Sequence, residues 1–265
     1  MTRTPVTSSQ GSWLLRFPRP DAPRRLFCFA YAGGHGGVFA SWRERLGTDV
    51  EVIGMQLPGH GARLAEAPRT ELLDVAAEAA RVIAAEDDPR PYALFGHSLG
   101  AVLAFETARR LAGLRSTRPS HLFVSACEGP RGLGDTDKSL HLLPDDALVQ
   151  RLREFNGTPP EVLGHQALMR LMLPILRADF AMLGSYRYRE AGPLDVPMTI
   201  FGGRHDHTTP ADVLESWVDE TTRRARTVWI DGDHFFINSH RDALLGEIRR
   251  DLTHDVGSSL SPSLP

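Results

Sequence analysis

The sequence is poor in cysteine: its 265 residues include two, Cys28 and Cys127. Each lies in a short apolar run typical of a buried strand, so we expect two core thiols and no disulfide, as in a reducing compartment. Residues 1–12 lack the apolar segment of a secretory signal, and no apolar run approaches the ~20 residues of a membrane span. These absences predict a cytoplasmic protein that does not engage a membrane.

The sequence also lacks an excess of charge of either sign. It holds 30 Lys and Arg against 33 Asp and Glu, a formal net charge of -3. These charges are interspersed, so no basic surface indicates nucleic acid as a partner. The hydrophobic share of 42% is that of an ordinary globular protein. We therefore expect a single folded domain, with a monomer favoured.

Short apolar runs alternate with longer amphipathic stretches, which predicts an α/β fold with a mostly parallel central sheet and flanking helices. The predicted strands are residues 25–30, 50–56, 92–95, 121–126, 196–201 and 227–230. The predicted helices are residues 72–85, 99–111, 211–221 and 242–252.

Residues 129–193 interrupt this alternation. They open with Gly129-Pro130-Arg131-Gly132 and offer helical segments at 145–155 and 166–183, with no convincing strand. An insertion between two core strands would lie over the strand ends where open α/β sheets bind ligands, so we predict a helical lid. Packing helices without a gating role are the alternative. The core would then comprise 1–128 and 194–256, and the Ser- and Pro-rich residues 257–265 a flexible tail.

The run Gly96-His97-Ser98-Leu99-Gly100 matches the G-x-S-x-G pattern directly after a predicted strand and directly before a predicted helix. A sharp strand-to-helix turn holds such a serine in a strained conformation, and side chains at the two glycine positions would clash. Ser98 is therefore the candidate nucleophile. A serine that only caps the helix N-terminus is the alternative interpretation.

A serine hydroxyl needs a base to take its proton. In proteins whose nucleophilic serine lies on such a strand-to-helix turn, the basic histidine follows the last core strand. His234 lies just after the strand predicted at 227–230, whereas His240 and His254 lie near or in the final helix and are weaker candidates. Asp206 follows the preceding strand, where it would orient the imidazole. Glu128, after the strand at 121–126, is the rival acid.

Backbone N–H groups are expected to stabilise the oxyanion of acyl transfer. Leu99, next to the nucleophile, supplies one, and Ala32, in a glycine-rich loop after the first predicted strand, supplies the other. The same loop lacks a G-x-G-x-x-G run, which argues against a dinucleotide cofactor. Residues 205–207, His-Asp-His, are read as solvated polar residues and not as metal ligands.

Taken together, these motifs resemble a type II thioesterase, the stand-alone editing hydrolase associated with polyketide synthases and nonribosomal peptide synthetases. The elbow motif alone is generic to α/β hydrolases, but the combined set is more specific and spans nearly the whole chain. It consists of Ala32-Gly33-Gly34, Gln56-Leu57-Pro58-Gly59, Gly96-His97-Ser98-Leu99-Gly100 and Gly232-Asp233-His234-Phe235-Phe236, with the Gly202-Gly203 to Asp206 loop.

The resemblance implies hydrolysis of acyl groups from the phosphopantetheine arm of an acyl or peptidyl carrier protein, which clears stalled or aberrant chains. It implies a triad of Ser98, Asp206 and His234, oxyanion donors at Ala32 and Leu99, an acyl chamber under the lid, and no cofactor or metal of the enzyme's own.

Two positions depart from the family pattern. His35 stands where a small residue is expected, and an altered oxyanion loop, an altered channel entrance and an exposed loop histidine all remain open. His60 stands where arginine is expected, and the sequence supports no functional conclusion from it.

Three other functions remain open at this point. A carboxylesterase or lipase would use the same triad on oxygen esters, and an acyltransferase would pass the acyl group to an amine or alcohol. The third possibility is a catalytically silent protein of hydrolase fold that docks on a synthase as an interaction module. This possibility stays open because a sequence cannot show that the three side chains of a triad meet.

Overall fold

The computed structural model describes residues 12–114, 118–134 and 139–254. The predicted tail at 257–265 lies outside these ranges. The strands of the described part form one seven-stranded sheet. They are β1 Leu14–Phe17, β2 Arg24–Phe29, β3 Val50–Met55, β4 Tyr92–His97, β5 Leu122–Ser125, β6 Met198–Gly203 and β7 Ala225–Ile230.

The strand order is β1-β3-β2-β4-β5-β6-β7. The six strands from β2 to β7 pair in parallel, which confirms the predicted mostly parallel sheet. β1 pairs antiparallel with β3 at one edge, with Leu14 opposite Met55. The sequence pattern did not predict β1, because its four residues are only half-buried and form too short a run to show alternation.

Helices cover both faces of this sheet. They are α1 Trp42–Arg45, α2 Leu72–Ala84, α3 Leu99–Gly113, α4 Asp145–Phe155, α5 Pro160–Leu163, α6 Gln166–Ser185, α7 Ala211–Glu215, α8 Phe236–Ser239 and α9 Arg241–His254. The single helix predicted over 211–221 is instead α7 followed by a 3-10 turn, Ser216–Glu220. The buried Trp217 indole in that turn donates to the Cys127 carbonyl at 2.7 Å, a tertiary contact that local spacing does not reveal.

Strands β3, β4, β5 and β6 are buried on both faces, as the middle of a doubly covered parallel sheet requires. Along β2, Leu26 and Cys28 face one hydrophobic cluster, which includes α1 and α9, and Phe27 and Phe29 face the other, which includes α2 and α3. Because successive side chains of a strand point to opposite faces, one short apolar run serves both layers.

Helices α4, α5 and α6 lie between β5 and β6 in the chain, and no strand occurs among the described residues of 129–193. Six buried side chains of this insertion form a small cluster of their own, Leu148, Leu152, Leu163, Met169, Leu173 and Leu176. The division into core and lid at these boundaries stays a prediction.

Cys28 and Cys127 are both buried free thiols. Within the part of the chain that the structure describes, no helix combines the length and apolar character needed to cross a bilayer.

Candidate active site

The candidate site lies at the carboxyl ends of the parallel strands. β2 and β4 are neighbours in the sheet although β3 lies between them in sequence, so the order of the strands reverses there. Such a reversal leaves a crevice beyond the strand ends, where open α/β sheets bind ligands. Ala32 follows β2 and Ser98 follows β4, so topology alone brings both to this crevice.

Ser98 occupies the sharp turn between β4 and α3. Its backbone has φ 55° and ψ -120°, a region that non-glycine residues rarely adopt, and its N–H donates to the Ser125 carbonyl at 2.8 Å. The hydroxyl makes no capping bond to α3. The alternative of a simple helix cap therefore finds no support in this geometry.

The two glycines of the turn allow this conformation by their lack of a side chain. A Cβ at Gly96 would collide with the carbonyl of Gly100, and a Cβ at Gly100 would collide with the carbonyl of Phe29. The strand, the turn and the helix N-terminus are thus packed backbone against backbone. The two glycines of the G-x-S-x-G motif are explained by this steric requirement.

Asp206 and His234 come together from the loops after β6 and β7. His234 Nδ1 lies 2.8 Å from Asp206 Oδ2. The loops are joined by backbone bonds as well, since the His205 N–H donates to the Gly232 carbonyl at 3.0 Å. The residues are 28 apart in sequence, and the parallel pairing of β6 with β7 brings their loops into register.

The environment keeps the Asp206 carboxyl ionised. Burial acts to raise the pKa of this carboxyl, but the hydrogen bond and charge of His234 and the bonds from Thr208 outweigh it, so the pKa lies well below its ordinary value. Because a carboxylate only accepts, His234 Nδ1 carries the proton and donates. The Nε2 atom of His234 is then left with a lone pair.

Thr208 extends this arrangement. Its backbone N–H donates to Asp206 Oδ1 at 2.8 Å, and its hydroxyl donates to the same oxygen at 2.6 Å. The Thr208 hydroxyl also lies 3.0 Å from His234 Nδ1. Both oxygens of the carboxylate therefore have partners, which fixes the plane of the Asp206 side chain.

Buried His97 lies beside His234. The ring centroids are 5.5 Å apart, and His97 Nδ1 lies 2.9 Å from the Ser125 hydroxyl. Burial lowers the pKa of His97 well below its ordinary value, and the positive charge of a protonated His234 lowers it further. His97 is therefore neutral, so it adds no positive charge next to His234.

The predicted oxyanion donors lie on adjacent elements of the crevice. Leu99 is the first residue of α3, where backbone N–H groups have no partner within the helix. Ala32 lies in the loop after β2, whose Gly33 N–H donates to Asp179 of α6 at 2.7 Å and whose Gly36 N–H donates to Gln56 at 2.9 Å. The loop is thus held from two sides.

The helical insertion contacts the loops of the site. Asn156, at the end of α4, donates to Asp233 beside His234 at 3.0 Å. On the other side, a Cβ at Gly33 would lie 2.7 Å from Leu176 of α6. The insertion therefore contacts both the His234 loop and the Ala32 loop.

The rival residues have other contacts. The Glu128 carboxylate lies against Gly132, and His240 is exposed beside the Ser239 hydroxyl at 3.0 Å. His205 turns outward to Asp231 at 3.0 Å, away from Asp206. Within the described ranges, no group of three or more His, Cys, Asp and Glu side chains is arranged to hold a metal. His35 is exposed, and its Nδ1 accepts from the Gly37 N–H at 3.0 Å.

The parallel sheet, its covering helices and a serine on the β4–α3 turn define the class of α/β hydrolases. The family model described as the thioesterase domain matches residues 24–252. The chain belongs to this thioesterase family, and family membership implies hydrolase activity.

Known proteins are similar to this chain in sequence and in structure. The gramicidin S biosynthesis protein GrsT of Aneurinibacillus migulanus is 40% identical over 219 residues, which are 82% of this chain and 84% of GrsT. The RedJ thioesterase of the prodiginine pathway in Streptomyces coelicolor has 35% identity and a TM-score of 0.81, covering 93% of this chain and 96% of its own. The type II thioesterase BorB of the borrelidin cluster has 32% identity and a TM-score of 0.82, covering 92% and 99%. The predicted resemblance to type II thioesterases is confirmed.

Sequence reasoning did not identify Thr208 or Asp179. Thr208 follows Asp206 by two residues, the spacing at which an aspartate side chain accepts from the backbone, so an Asx-turn search would have found it. Asp179 lies in an amphipathic helix 146 residues from its partner Gly33, and no local signal marks it.

Proposed function

We propose that this chain hydrolyses acyl thioesters held on the phosphopantetheine arm of acyl or peptidyl carrier proteins, and so clears stalled or aberrant chains in polyketide or nonribosomal peptide biosynthesis. Membership of the family and the resemblance to type II thioesterases support this substrate class. A cytoplasmic location, consistent with two free thiols, is part of the proposal.

The observation that carries the proposed chemistry is the bond between Asp206 and His234 at the strand edge where strained Ser98 lies. The ionised carboxylate fixes the tautomer in which Nδ1 donates, and Nε2 of His234 is the base. We assign Ser98 as the nucleophile that this base activates.

In the acylation step, the Ser98 oxygen attacks the thioester carbon while His234 Nε2 takes the hydroxyl proton. The carbonyl electron pair moves to the oxygen, which accepts from the N–H groups of Ala32 and Leu99. When the carbonyl re-forms, the carbon–sulfur bond breaks and the sulfur takes the proton from His234. A thiol has a pKa near ~8.5 by the cysteine reference, so its departure needs little proton assistance.

In the deacylation step, a water molecule gives a proton to His234 Nε2 and attacks the acyl carbon. The Ser98 oxygen leaves with that proton, and the free acid is released. Every proton in the cycle passes through one imidazole, and no cofactor or metal takes part.

The test of the substrate class is single-turnover release of one short acyl group from three carriers: a phosphopantetheinylated carrier protein, N-acetylcysteamine and a simple alcohol. We expect the fastest release from the carrier protein, because its surface adds binding energy to the same chemistry. Equal or faster cleavage of the alcohol ester would identify a general esterase, and transfer to an added amine an acyltransferase.

The test of the nucleophile is Ser98→Ala. We expect turnover to fall by at least about a thousandfold and labelling by a fluorophosphonate probe to disappear. Ser239→Ala, which removes an exposed hydroxyl beside His240, is the matched control and should keep both. Substantial turnover in Ser98→Ala would refute the assignment, and a wild-type protein that is folded but unlabelled would favour a non-catalytic docking module.

A further inference from the structure

One buried charge pair joins the oxyanion loop to the insertion. Asp179 of α6 is 1% exposed, and its Oδ2 accepts the Gly33 N–H at 2.7 Å. The same oxygen lies 2.9 Å from Nε2 of His60, which is 3% exposed. Three segments distant in sequence thus meet at one carboxylate oxygen: the loop after β2, the loop after β3 and the middle of α6.

His60 can donate both of its hydrogen bonds only when its ring is charged. Nδ1 lies 3.0 Å from the Pro58 carbonyl and Nε2 lies 2.9 Å from the Asp179 carboxylate, so both ring nitrogens face acceptors. A neutral imidazole has one N–H and would direct a lone pair at the other acceptor. The imidazolium form alone donates to both.

The electrostatic balance agrees with this geometry. Burial acts to lower the pKa of His60, but the hydrogen bond and charge of Asp179 and the bond to the Pro58 carbonyl outweigh it, so the pKa is raised. Burial lowers the pKa of His35, in the loop after β2, and the charge of His60 lowers it further. Arg63, three residues after His60, pairs its guanidinium with the Glu66 carboxylate, and the nearest nitrogen and oxygen are 2.7 Å apart.

The pair lies next to the groups that would hold the oxyanion. Gly33 directly follows Ala32, and its φ of 76° is one that a residue with a Cβ rarely adopts. A narrow cavity is lined by Leu99 together with both members of the pair. The bond fixes the Ala32–Gly33 peptide, which adjoins the Tyr31–Ala32 peptide that carries the Ala32 N–H, and so restricts the backbone next to that donor.

We infer that Asp179 and His60 are positioning residues: as a charged pair they hold the oxyanion loop against α6, and loss of the His60 proton releases the loop and slows hydrolysis. This inference rests on the proposed function. Deprotonation leaves one N–H on the ring, so a lone pair faces either the Pro58 carbonyl or the Asp179 carboxylate, and the buried carboxylate loses the positive charge beside it, which weakens the link between the loop and α6.

The sign of the pH effect follows from the raised pKa of His60. The stabilisation by the pair is complete below the unfolded value near ~6.5 and is lost as the pH rises through the higher folded value. The catalytic rate should therefore carry a decline at high pH that originates in His60.

The experiment measures kcat and KM for an acyl-N-acetylcysteamine thioester from about pH 6 to about pH 9 in the full-length wild type and in His60→Gln and Asp179→Asn. In each variant we expect kcat to fall by about ten- to a hundredfold at low pH with KM changed less than about threefold. We also expect the ratio of wild-type to variant kcat to shrink as the pH rises. The double variant should be no slower than the slower single variant, because both remove one interaction.

Two further variants separate charge from structure. His60→Arg supplies a permanent cation, so it should keep more activity than His60→Gln and lack the decline at high pH. His35→Gln removes the nearby exposed histidine and should retain the wild-type decline.

Variants that melt at lower temperature but keep the wild-type kcat and pH profile would overturn the inference, since the pair would then be merely structural. If the glutamine variant fails to fold, the arginine variant alone decides by its pH profile. Failure of the proposed function is a different result: wild-type protein without Ser98-dependent thioester turnover.

Discussion

At the scale of single residues, Asp206 shows how the site keeps a charge away from water. Both of its oxygens are occupied, one by His234 and the other by the N–H and hydroxyl of Thr208. A buried carboxylate is tolerated when it accepts several hydrogen bonds, and these bonds also fix the direction in which it presents its lone pairs. Thr208 thus occupies the carboxylate oxygen that His234 leaves free.

We predict that Thr208→Val lowers kcat by about three- to tenfold and leaves KM nearly unchanged, because it removes one hydroxyl bond to Asp206 and the contact with His234. Steady-state kinetics on an acyl-N-acetylcysteamine thioester measure the effect. Thr208→Ser retains the hydroxyl and should behave as wild type. An unchanged kcat in the valine variant would show that the backbone N–H of Thr208 suffices to orient Asp206.

At the scale of elements, β4, the Ser98 turn and α3 form a unit in which main chain packs on main chain. The positive φ of Ser98 is held by strand pairing before it and by helix packing after it. Such strain persists where the surrounding structure over-determines it. The motif consequently requires glycine at these positions because a side chain would collide there, and not because the turn must be flexible.

Two glycines of α3 test this steric argument. We predict that Gly100→Ala destabilises the protein by more than about 2 kcal/mol, because the new methyl group meets the Phe29 carbonyl. Gly113→Ala, where no atom of the described residues outside the helix's own backbone lies within 4 Å of the added Cβ, should change the stability by less than about 1 kcal/mol. Denaturant unfolding of both variants gives the comparison. Similar stabilities would contradict the packing described at the turn.

At the scale of the whole molecule, the protein consists of a doubly covered sheet and an insertion with a small cluster of its own. The sheet clusters contain its largest buried side chains, such as Trp42, Trp217 and Phe95. The insertion is held by fewer apolar groups and by polar contacts such as Asn156 to Asp233. Regions with fewer buried apolar contacts open at lower free energy, so the insertion should open before the sheet.

Amide hydrogen exchange tests this difference. Leu148→Ala removes a fully buried side chain from the insertion cluster, at a cost of about 2–5 kcal/mol. We predict faster exchange in α4 and α6 with little change in β4 and β5. Phe95→Ala, in the sheet core, should cost about 3–5 kcal/mol and accelerate exchange in both regions. Equal acceleration throughout the Leu148→Ala variant would mean that insertion and sheet unfold as one unit.

The spacing of apolar residues, and the glycines and prolines between apolar runs, predicted most of the fold. The central strands are rich in apolar residues because both of their faces are buried, so the pattern identifies them directly. It failed at the edge, where β1 is half-exposed, and at residues 211–221, where burial of Trp217 accompanies a 3-10 turn in place of a continuous helix. The first error arises because a short, half-exposed run shows no alternation, and the second because a tertiary contact outweighs local preference.

The sequence by itself determined the α/β class, the strained serine turn and the identity of the candidate residues, because these depend on spacing within short segments. The tertiary structure alone shows that the Asp206 carboxylate meets His234, that Thr208 completes its bonds, and that His60 meets Asp179. These pairs are joined by strand order and helix packing across long stretches of chain, and a buried charge finds its partner only when the folded chain has excluded water from both.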